Sequence, residues 1–292
     1  MSKTPIPISG RTVAITGGAR GLGLATAKAL AARGARVAIG DLDGGLARAE
    51  AAALPGAGPH AGYPLDVTDP GSFAAFLDSL TELGELDVLV NNAGIMPVGA
   101  FATEDATVTR RQVEINLLGV TTGTRLALDR MLPRRRGHIV NVASAAGRVA
   151  VPGEAVYTAT KHAVVGFGEA LRVELRASGI HVTTIMPSLA ATELASGMRP
   201  PRFVPMVKPD QVAAAIAKAL EKPRLEVIVP AWTTPLIRMT LAMPADWRDK
   251  VRHFFRIEEV GGEIDDSARA SYVERYERPV AADEVELARN DS

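Results

Sequence analysis

The sequence predicts an α/β fold in which helices cover both faces of a mostly parallel, seven-stranded, doubly wound sheet. The main observation is that short apolar segments rich in β-branched residues alternate with longer segments of helical period. Strand–helix–strand repeats of this kind make right-handed crossovers between parallel strands. Because 47% of the residues are hydrophobic, the chain can bury a large core. Seven strands need most of the 292 residues, so we expect a single domain.

The predicted elements follow one another in strict alternation. The strands are short apolar runs at residues 12–15, 36–39, 61–65, 88–91, 138–142, 181–185 and 226–229. The helices are Ala- and Leu-rich segments at residues 23–33, 44–53, 71–83, 110–132, 154–178 and 210–221. A proline-containing loop at about 191–208 follows the sixth strand, where a substrate lid is expected.

The composition excludes several classes of function. Lys plus Arg and Asp plus Glu both number 33, so no net charge favours nucleic acid as a partner. The chain has no cysteine, which excludes disulfides, thiolate metal sites and cysteine nucleophiles, and no histidine spacing predicts a metal site. The N-terminus lacks a signal-like apolar core and no run approaches ~18 apolar residues, so we expect a cytoplasmic protein.

A glycine-rich turn, TGGARGLG at residues 16–23, joins the first strand to the first helix. Gly17 permits the tight turn, Gly21 lets the backbone approach a pyrophosphate, and Gly23 allows close helix–strand packing. The N–H groups at the start of the helix attract phosphates. The turn therefore predicts a dinucleotide site, with a purely structural turn as the alternative.

Asp41 ends the second strand, 18 residues after Gly23, near the ~20-residue spacing at which a carboxylate binds the ribose hydroxyls. A carboxylate there repels the 2′-phosphate of NADP, so Asp41 favours NAD(H). Arg20 favours NADP(H) instead, because a guanidinium can pair with that phosphate. We predict NAD as the preferred cofactor, and NADP stays open. Asp41 or Asp43 can alternatively cap the next helix.

The segment YTATK at residues 157–161 is the strongest chemical signal. Residues four apart share one helix face, so the Tyr157 hydroxyl and the Lys161 ammonium can address one site. A nearby cation lowers the pKa of a phenol, which makes Tyr157 a usable proton carrier. Ser144 follows the fifth strand and can donate a hydrogen bond to a substrate oxygen.

These residues, in this order, resemble the short-chain dehydrogenase/reductase family from about residue 11 to residue 230. The matching elements are residues 16–23, 66–67, 91–94, 116, 144, 157–161 and 187–192. The resemblance implies a Rossmann-type fold and an NAD(P)-dependent alcohol dehydrogenase or ketone reductase.

The resemblance also implies roles for individual residues. The catalytic set is Ser144, Tyr157, Lys161 and Asn116. The cofactor-binding set is Gly17, Arg20, Gly21, Leu22, Gly23, Asp41, Asp66, Val67, Asn92, Ala93, Gly94, Tyr157, Lys161, Pro187 and Thr192. Asp66 is expected to bind the adenine amine, Val67 to flank the ring, and Thr192 to orient the carboxamide. Asn116 is expected to hold a water that links Lys161 to solvent.

Two features depart from the family pattern. Pro187 is followed by serine rather than glycine, and about sixty residues follow Pro230. We divide the chain into a catalytic domain (1–230), an amphipathic extension (231–256) and a polar tail (257–292) that is expected to be exposed. The extension is predicted to form two helices that pack on the domain or across a subunit boundary. A lid over an apolar pocket and a membrane-surface contact are the alternatives.

The sequence thus predicts an oxidoreductase that acts on a secondary alcohol/ketone pair and forms a homo-oligomer, either a dimer or a tetramer. Apolar residues around the lid predict a hydrophobic substrate: Leu194, Met198, Phe203, Val204 and Met206. An NADP(H)-dependent carbonyl reductase and a non-catalytic dinucleotide-binding protein are the competing hypotheses.

Overall fold

A computed structural model of the protein describes residues 5–262 and 265–277. Seven parallel strands form one sheet in the order β3-β2-β1-β4-β5-β6-β7. The strands are β1 (Thr12–Thr16), β2 (Arg36–Asp41), β3 (His60–Pro64), β4 (Leu86–Asn91), β5 (Gly137–Val142), β6 (Ile180–Pro187) and β7 (Glu226–Val229). The strand order reverses between β1 and β4, which opens a crevice at the carboxyl ends of these strands.

Helices cover both faces of the sheet. They are α1 (Gly21–Ala31), α2 (Gly44–Ala52), α3 (Pro70–Asp78), α4 (Ala106–Val113), α5 (Gly119–Met131), α6 (Ala155–Glu174), α7 (Pro209–Glu221), α8 (Thr233–Leu241), α9 (Ala245–Phe254), α10 (Glu258–Gly262) and α11 (Asp266–Glu277). Leu30 of α1 and Ile216 of α7 pack on one face, and Phe73 of α3 and Met131 of α5 pack on the other. The predicted fold class is confirmed, with a sheet that is parallel throughout.

The helix predicted at residues 110–132 is divided in two. A π-helical turn (Glu114–Leu118) separates α4 from α5. The turn carries the fully buried Asn116. Its side-chain amide accepts a hydrogen bond from the Ile95 N–H and donates one to the Ile95 carbonyl. Because a π turn holds an extra residue, it lets this side chain reach a neighbouring loop while the helix continues. Hydrophobic periodicity alone does not reveal such a turn.

The chain after residue 256 differs from the exposed tail that its polar composition predicts. Residues 258–262 and 266–277 are helical, and Arg269 and Tyr272 of α11 are buried. Two long polar side chains, rather than an apolar stripe, fix α11 to the domain, so a hydropathy pattern misses it. Residues 278–292 of the predicted tail lie outside the described residues. Within residues 5–262 and 265–277, no helix has the length and hydropathy needed to cross a bilayer.

Candidate active site

A cavity of about 380 Å³ lies at the carboxyl ends of β1, β4, β5 and β6. Twelve of the predicted site residues line it: Gly17, Arg20, Gly21, Leu22, Asn92, Ala93, Gly94, Ser144, Tyr157, Lys161, Pro187 and Thr192. The other five do not: Gly23, Asp41, Asp66, Val67 and Asn116. Residues from five separate segments of the sequence thus meet at one edge of the sheet.

The turn between β1 and α1 presents bare backbone to the cavity. Gly17 has φ +60°, and a Cβ built on it would lie 2.9 Å from the Ala93 Cα. A Cβ on Gly23 would lie 2.2 Å from the Gly17 carbonyl oxygen. Any side chain at either position would force the turn apart. The turn and the start of α1 therefore form a cradle of backbone N–H groups that fits a pyrophosphate.

Asn92 and Thr16 lock this turn to the end of β4. The Asn92 Nδ2 donates to the carbonyls of Thr16 and Gly17, each at 2.9 Å. In return, the Thr16 hydroxyl accepts from the N–H groups of Asn92 and Ala93, each at 3.0 Å. The role of Thr16 was not predicted from the sequence, although its place at the end of a strand beside a glycine turn could have indicated one. It acts as a positioning residue for the cavity floor.

Asp41 lies behind the glycine turn rather than on the cavity wall. Its Oδ2 accepts from the Ala19 N–H at 3.0 Å, and burial raises the pKa of its carboxyl. Arg20 forms an ion pair with Asp43 at 2.8 Å. Asp43 also caps α2 by accepting from the Leu46 N–H at 2.9 Å. Asp43, and not Asp41, therefore caps α2.

Asp66 and Val67 follow β3, outside the cavity. The Asp66 Oδ1 accepts from the N–H and the hydroxyl of Thr68, at 2.8 and 2.7 Å. Val67 is buried, and a Cβ built on Gly119 at the start of α5 would lie 3.0 Å from its Cγ2. The contacts predicted between these two residues and adenine stay a prediction.

The loop after β6 reaches across to the glycine turn. Ser188 keeps the strand pairing, since its N–H donates to the Val229 carbonyl at 2.7 Å. Thr192 lies close enough to the turn that a Cβ on Gly21 would be 3.5 Å from the Thr192 Cγ2. The serine in place of glycine thus leaves this loop in position beside the cradle.

Ser144, Tyr157 and Lys161 converge on the inner end of the cavity. Ser144 follows β5 in an extended conformation, and its hydroxyl hydrogen-bonds the Tyr157 hydroxyl. Lys161 lies one turn after Tyr157 on α6, with its Nζ 5.5 Å from the Tyr157 ring centroid. The Nζ donates to the Val142 carbonyl at 3.1 Å. The spacing of the motif therefore does bring the three groups together.

Burial dominates the electrostatics of this end of the cavity. It raises the pKa of Tyr157, and the negative charge of Glu154 raises it further, while the hydrogen bond with Ser144 lowers it. Burial also lowers the pKa of Lys161 to about 8. The sequence predicts that Lys161 lowers the pKa of Tyr157. Burial of the phenol instead raises the pKa of Tyr157.

Asn116 contacts the protein rather than the cavity. Its Oδ1 accepts from the Ile95 N–H at 2.9 Å, and its Nδ2 donates to the Ile95 carbonyl at 2.8 Å and to Thr160 Oγ1 at 3.3 Å. A Cβ built on Gly94 would lie 3.1 Å from the Asn116 Oδ1 and 3.5 Å from the Lys161 Nζ. Asn116 thus holds the loop after β4 against α6, close to Lys161. Its link through a water stays a prediction.

The outer wall of the cavity is mostly apolar and comes from the C-terminal extension and from the first residues of the predicted tail. Its apolar residues are Leu236, Ile237, Val251, Phe255, Ile257 and Val260, and Thr233, Thr240 and Arg252 also line the cavity there. Of the apolar residues predicted around the lid, Leu194 and Val204 line the cavity, and Met198 and Met206 belong to an adjoining apolar cluster. Phe203 of the lid loop does not line the cavity; it is 62% exposed and contacts Phe254 on the surface.

Three polar residues near the cavity were not predicted from the sequence. Glu154 and Tyr272 line the cavity, and Arg269 lies behind Tyr272 on α11. The Tyr272 hydroxyl accepts from the Met96 N–H at 2.7 Å. Nothing in the sequence distinguishes Arg269 and Tyr272 from other residues of a charged segment, whereas Glu154 stands out only by lying one turn before Tyr157.

The fold and the cavity define a dinucleotide-binding α/β protein, and comparison with known proteins specifies its class. A sequence profile described as short chain dehydrogenase matches residues 11–202. The chain is 34% identical over 227 residues to the ketoacyl reductase HetN of Nostoc sp., covering 76% of this chain and 79% of that protein. It is 40% identical over 220 residues to a cis-4-hydroxycyclohexanecarboxylate dehydrogenase of Sinomonas cyclohexanicum, covering 71% and 88%.

A hydroxysteroid dehydrogenase and a solved structure extend the comparison. The 3-alpha-(or 20-beta)-hydroxysteroid dehydrogenase of Mycobacterium bovis is 40% identical over 189 residues, covering 63% of this chain and 71% of that protein. The crystal structure of a short chain dehydrogenase/reductase from Burkholderia phymatum in complex with NAD has a TM-score of 0.74 and 25% identity. That match covers 80% of this chain and 94% of the other. The chain therefore belongs to the short-chain dehydrogenase/reductase family. It is an oxidoreductase that acts on alcohol or ketone substrates with a nicotinamide cofactor.

Proposed function

We propose that this enzyme interconverts a bulky, apolar secondary alcohol and its ketone, with NAD(H) as the preferred cofactor and Ser144, Tyr157 and Lys161 as catalytic residues. The observation that carries the proposal is the convergence of these three side chains on the inner end of a cavity whose outer wall is apolar. When bound, the nicotinamide accepts or supplies the hydride.

Each side chain has one task in alcohol oxidation. Tyr157 takes the proton of the substrate hydroxyl as the carbinol carbon is oxidised. Ser144 donates a hydrogen bond to the substrate oxygen and fixes its position. The Lys161 ammonium stabilises the phenolate of Tyr157, which burial otherwise disfavours. Ketone reduction uses the same contacts in the opposite direction.

Two contacts support the preference for NAD. Asp41 places a carboxylate behind the turn that follows β1, where a 2′-phosphate would meet a like charge. The guanidinium of Arg20 is engaged by Asp43, so attracting a 2′-phosphate would require breaking that ion pair. Both effects favour NAD over NADP.

The apolar outer wall supports a ring-shaped hydrophobic substrate. Burial of apolar substrate surface against residues such as Leu236 and Phe255 contributes about 25 cal/mol per Å². Two of the relatives are named for hydroxysteroid and hydroxycyclohexanecarboxylate substrates. The apolar lining and the names of these relatives both support a cyclic secondary alcohol as the substrate.

We also propose that the protein forms a homo-oligomer through its C-terminal extension. Trp232, Met239, Trp247 and Phe254 are each more than half exposed. A second copy of the chain would cover these residues. Light scattering from the purified protein should give a dimer or tetramer mass, and a monomer that floats with anionic vesicles would favour the membrane-surface alternative instead.

A substrate panel tests the proposed reaction. Cyclic and acyclic secondary alcohols, with their ketones, are offered with NAD(H) and separately with NADP(H), and turnover is followed at the nicotinamide absorbance. We expect turnover of cyclic substrates with a higher kcat/KM for NAD(H). A higher kcat/KM with NADP(H) would favour the carbonyl-reductase alternative. Tight cofactor binding without turnover of any substrate would favour a non-catalytic protein.

A further inference from the structure

Glu154 is a buried acid on the cavity wall that the proposed mechanism does not use. It precedes α6, lies one turn before Tyr157 and is 4% exposed. Although it occupies the N-cap position, its side chain does not cap the helix. Among residues 5–262, 265 and 267–274, whose side chains the structure describes, none forms a hydrogen bond or ion pair with the carboxyl of Glu154. Buried polar groups without partners are rare in proteins, because desolvation is costly.

The described residues around Glu154 leave its carboxyl without a hydrogen-bond partner. Arg269, whose charge lowers the pKa of Glu154, directs its N–H groups to the carbonyls of Met96, Leu194 and Ser196. Arg269 attracts Glu154 electrostatically without bonding it, and burial raises the pKa of Glu154 to about 7. The adjoining cluster of Met96, Ala146, Ala195 and Val260 is apolar. A carboxyl with unused hydrogen-bonding capacity therefore faces a cavity that is built for a ligand.

We propose that Glu154 binds a second hydroxyl group of the substrate, so that the preferred substrates are diols or hydroxy-ketones on an apolar ring. This inference rests on the proposed function. A hydroxyl suits the site in both protonation states, because it donates to a carboxylate and can accept from a carboxylic acid. An ammonium group would pair only with the ionised form, and a carbonyl only with the neutral form.

The position of Glu154 limits where the second hydroxyl lies. Glu154 is the N-cap residue of α6, three positions before Tyr157, and both residues line the cavity. Tyr157 contacts the reacting oxygen in the proposed mechanism, and the charge of Glu154 acts on the Tyr157 hydroxyl. The second hydroxyl therefore lies on the same ring as the reacting carbon, or on the ring next to it.

Matched pairs of substrates test the inference. Each of the cyclohexane-1,2-, 1,3- and 1,4-diols is compared with the methylcyclohexanol in which a methyl group replaces the second hydroxyl, and kcat and KM are measured with NAD. We expect the wild-type protein to prefer at least one diol over its methyl counterpart by about tenfold or more in kcat/KM, chiefly through KM. A symmetrical diol gains only about twofold from having two equivalent hydroxyls, which is smaller than this expected preference.

Substitutions at Glu154 assign the preference to this residue. In Glu154→Leu the ratio should invert in favour of the methyl substrate, because the second hydroxyl would lose its partner in an apolar wall. Glu154→Gln should keep part of the preference, since an amide both donates and accepts. The matched control is Glu174→Leu, an exposed acid at the far end of α6, which should leave the ratio unchanged.

The possible outcomes separate this inference from the proposed function. Equal turnover of diols and methyl substrates, or a diol preference that Glu154→Leu leaves intact, would overturn the role of Glu154 but not the reaction. No turnover of any pair with either cofactor would overturn the reaction itself. If the leucine variant does not fold, the glutamine variant decides the question.

The diol preference should rise with pH through about 7 in the wild type and stay constant in Glu154→Gln. The same rise in both proteins would overturn the inference.

Discussion

Arg269 should control whether the C-terminal helix stays closed over the cavity. This side chain is 3% exposed, and its guanidinium donates to the carbonyls of Leu194 at 2.9 Å, Ser196 at 3.0 Å and Met96 at 2.7 Å. It thereby joins α11 to the loop after β6 and to the loop after β4. The substitution Arg269→Met keeps a long, largely apolar stem and removes all three donors.

The expected loss follows from these hydrogen bonds. Each bond between a charged donor and a carbonyl contributes about 1.5–3 kcal/mol. Because the three bonds share one group, their contributions do not add fully, and we expect the docking of α11 to weaken by about 3–5 kcal/mol. At about 1.4 kcal/mol per factor of ten, the open form should become at least about a hundredfold more populated. The core strands do not depend on Arg269, so α11 should detach without global unfolding.

Native-state hydrogen exchange measures this detachment directly. In Arg269→Met, amides of α11 and the Met96 N–H, which bonds Tyr272, should lose about a hundredfold of their protection. Amides of β4 and β5 should keep theirs, and KM for the substrate should rise while the affinity for NADH stays constant. Ser271→Ala, at an exposed position of the same helix, is the control. Equal loss of protection throughout the sheet, or no loss in α11, would refute the role of Arg269 in docking α11.

Three further predictions concern the cofactor site and its acids. Thr16→Val removes the hydroxyl that accepts from the Asn92 N–H while keeping the shape of the side chain. The affinity for NADH, measured by fluorescence titration, should fall about tenfold. An unchanged affinity would contradict the role of Thr16. Asp41→Asn removes a negative charge near the ribose. The ratio of kcat/KM for NADP to kcat/KM for NAD should therefore rise about tenfold. A constant ratio would show that Asp41 does not select between the two cofactors. Ionised Glu154 raises the pKa of Tyr157, so Glu154→Gln should move the pH profile of alcohol oxidation to lower pH. A shift to higher pH would show that the charge of Glu154 does not act on Tyr157.

The sheet and the inner end of the cavity could be predicted because local patterns determine them. Strands β1 to β7 read as short apolar runs, and parallel pairing brings their carboxyl ends to one edge. The spacing of Tyr157 and Lys161 places both on one face of α6. In the glycine turn, only glycine fits at positions 17 and 23 without a steric clash. Each of these inferences needs information from a few neighbouring residues only.

The remaining features depend on contacts between distant parts of the chain. Tyr272 meets Met96 across 176 residues, and no periodicity in either segment signals that contact. The direction of the pKa shift at Tyr157 was likewise out of reach, since it depends on how completely the folded chain removes water from the phenol. Asn116 shows the same limit, because its π-helical turn exists only where a neighbouring loop offers Ile95 as a partner.

The role of Tyr157 as proton carrier is tested most directly by replacing it with phenylalanine and measuring turnover and NADH binding on the same preparation. The ring and its packing remain, and only the hydroxyl is lost. We expect kcat for oxidation of a cyclic alcohol to fall by about 10²–10⁴-fold while the Kd for NADH changes by less than about twofold. Turnover equal to that of the wild-type protein would show that the proton leaves by another route.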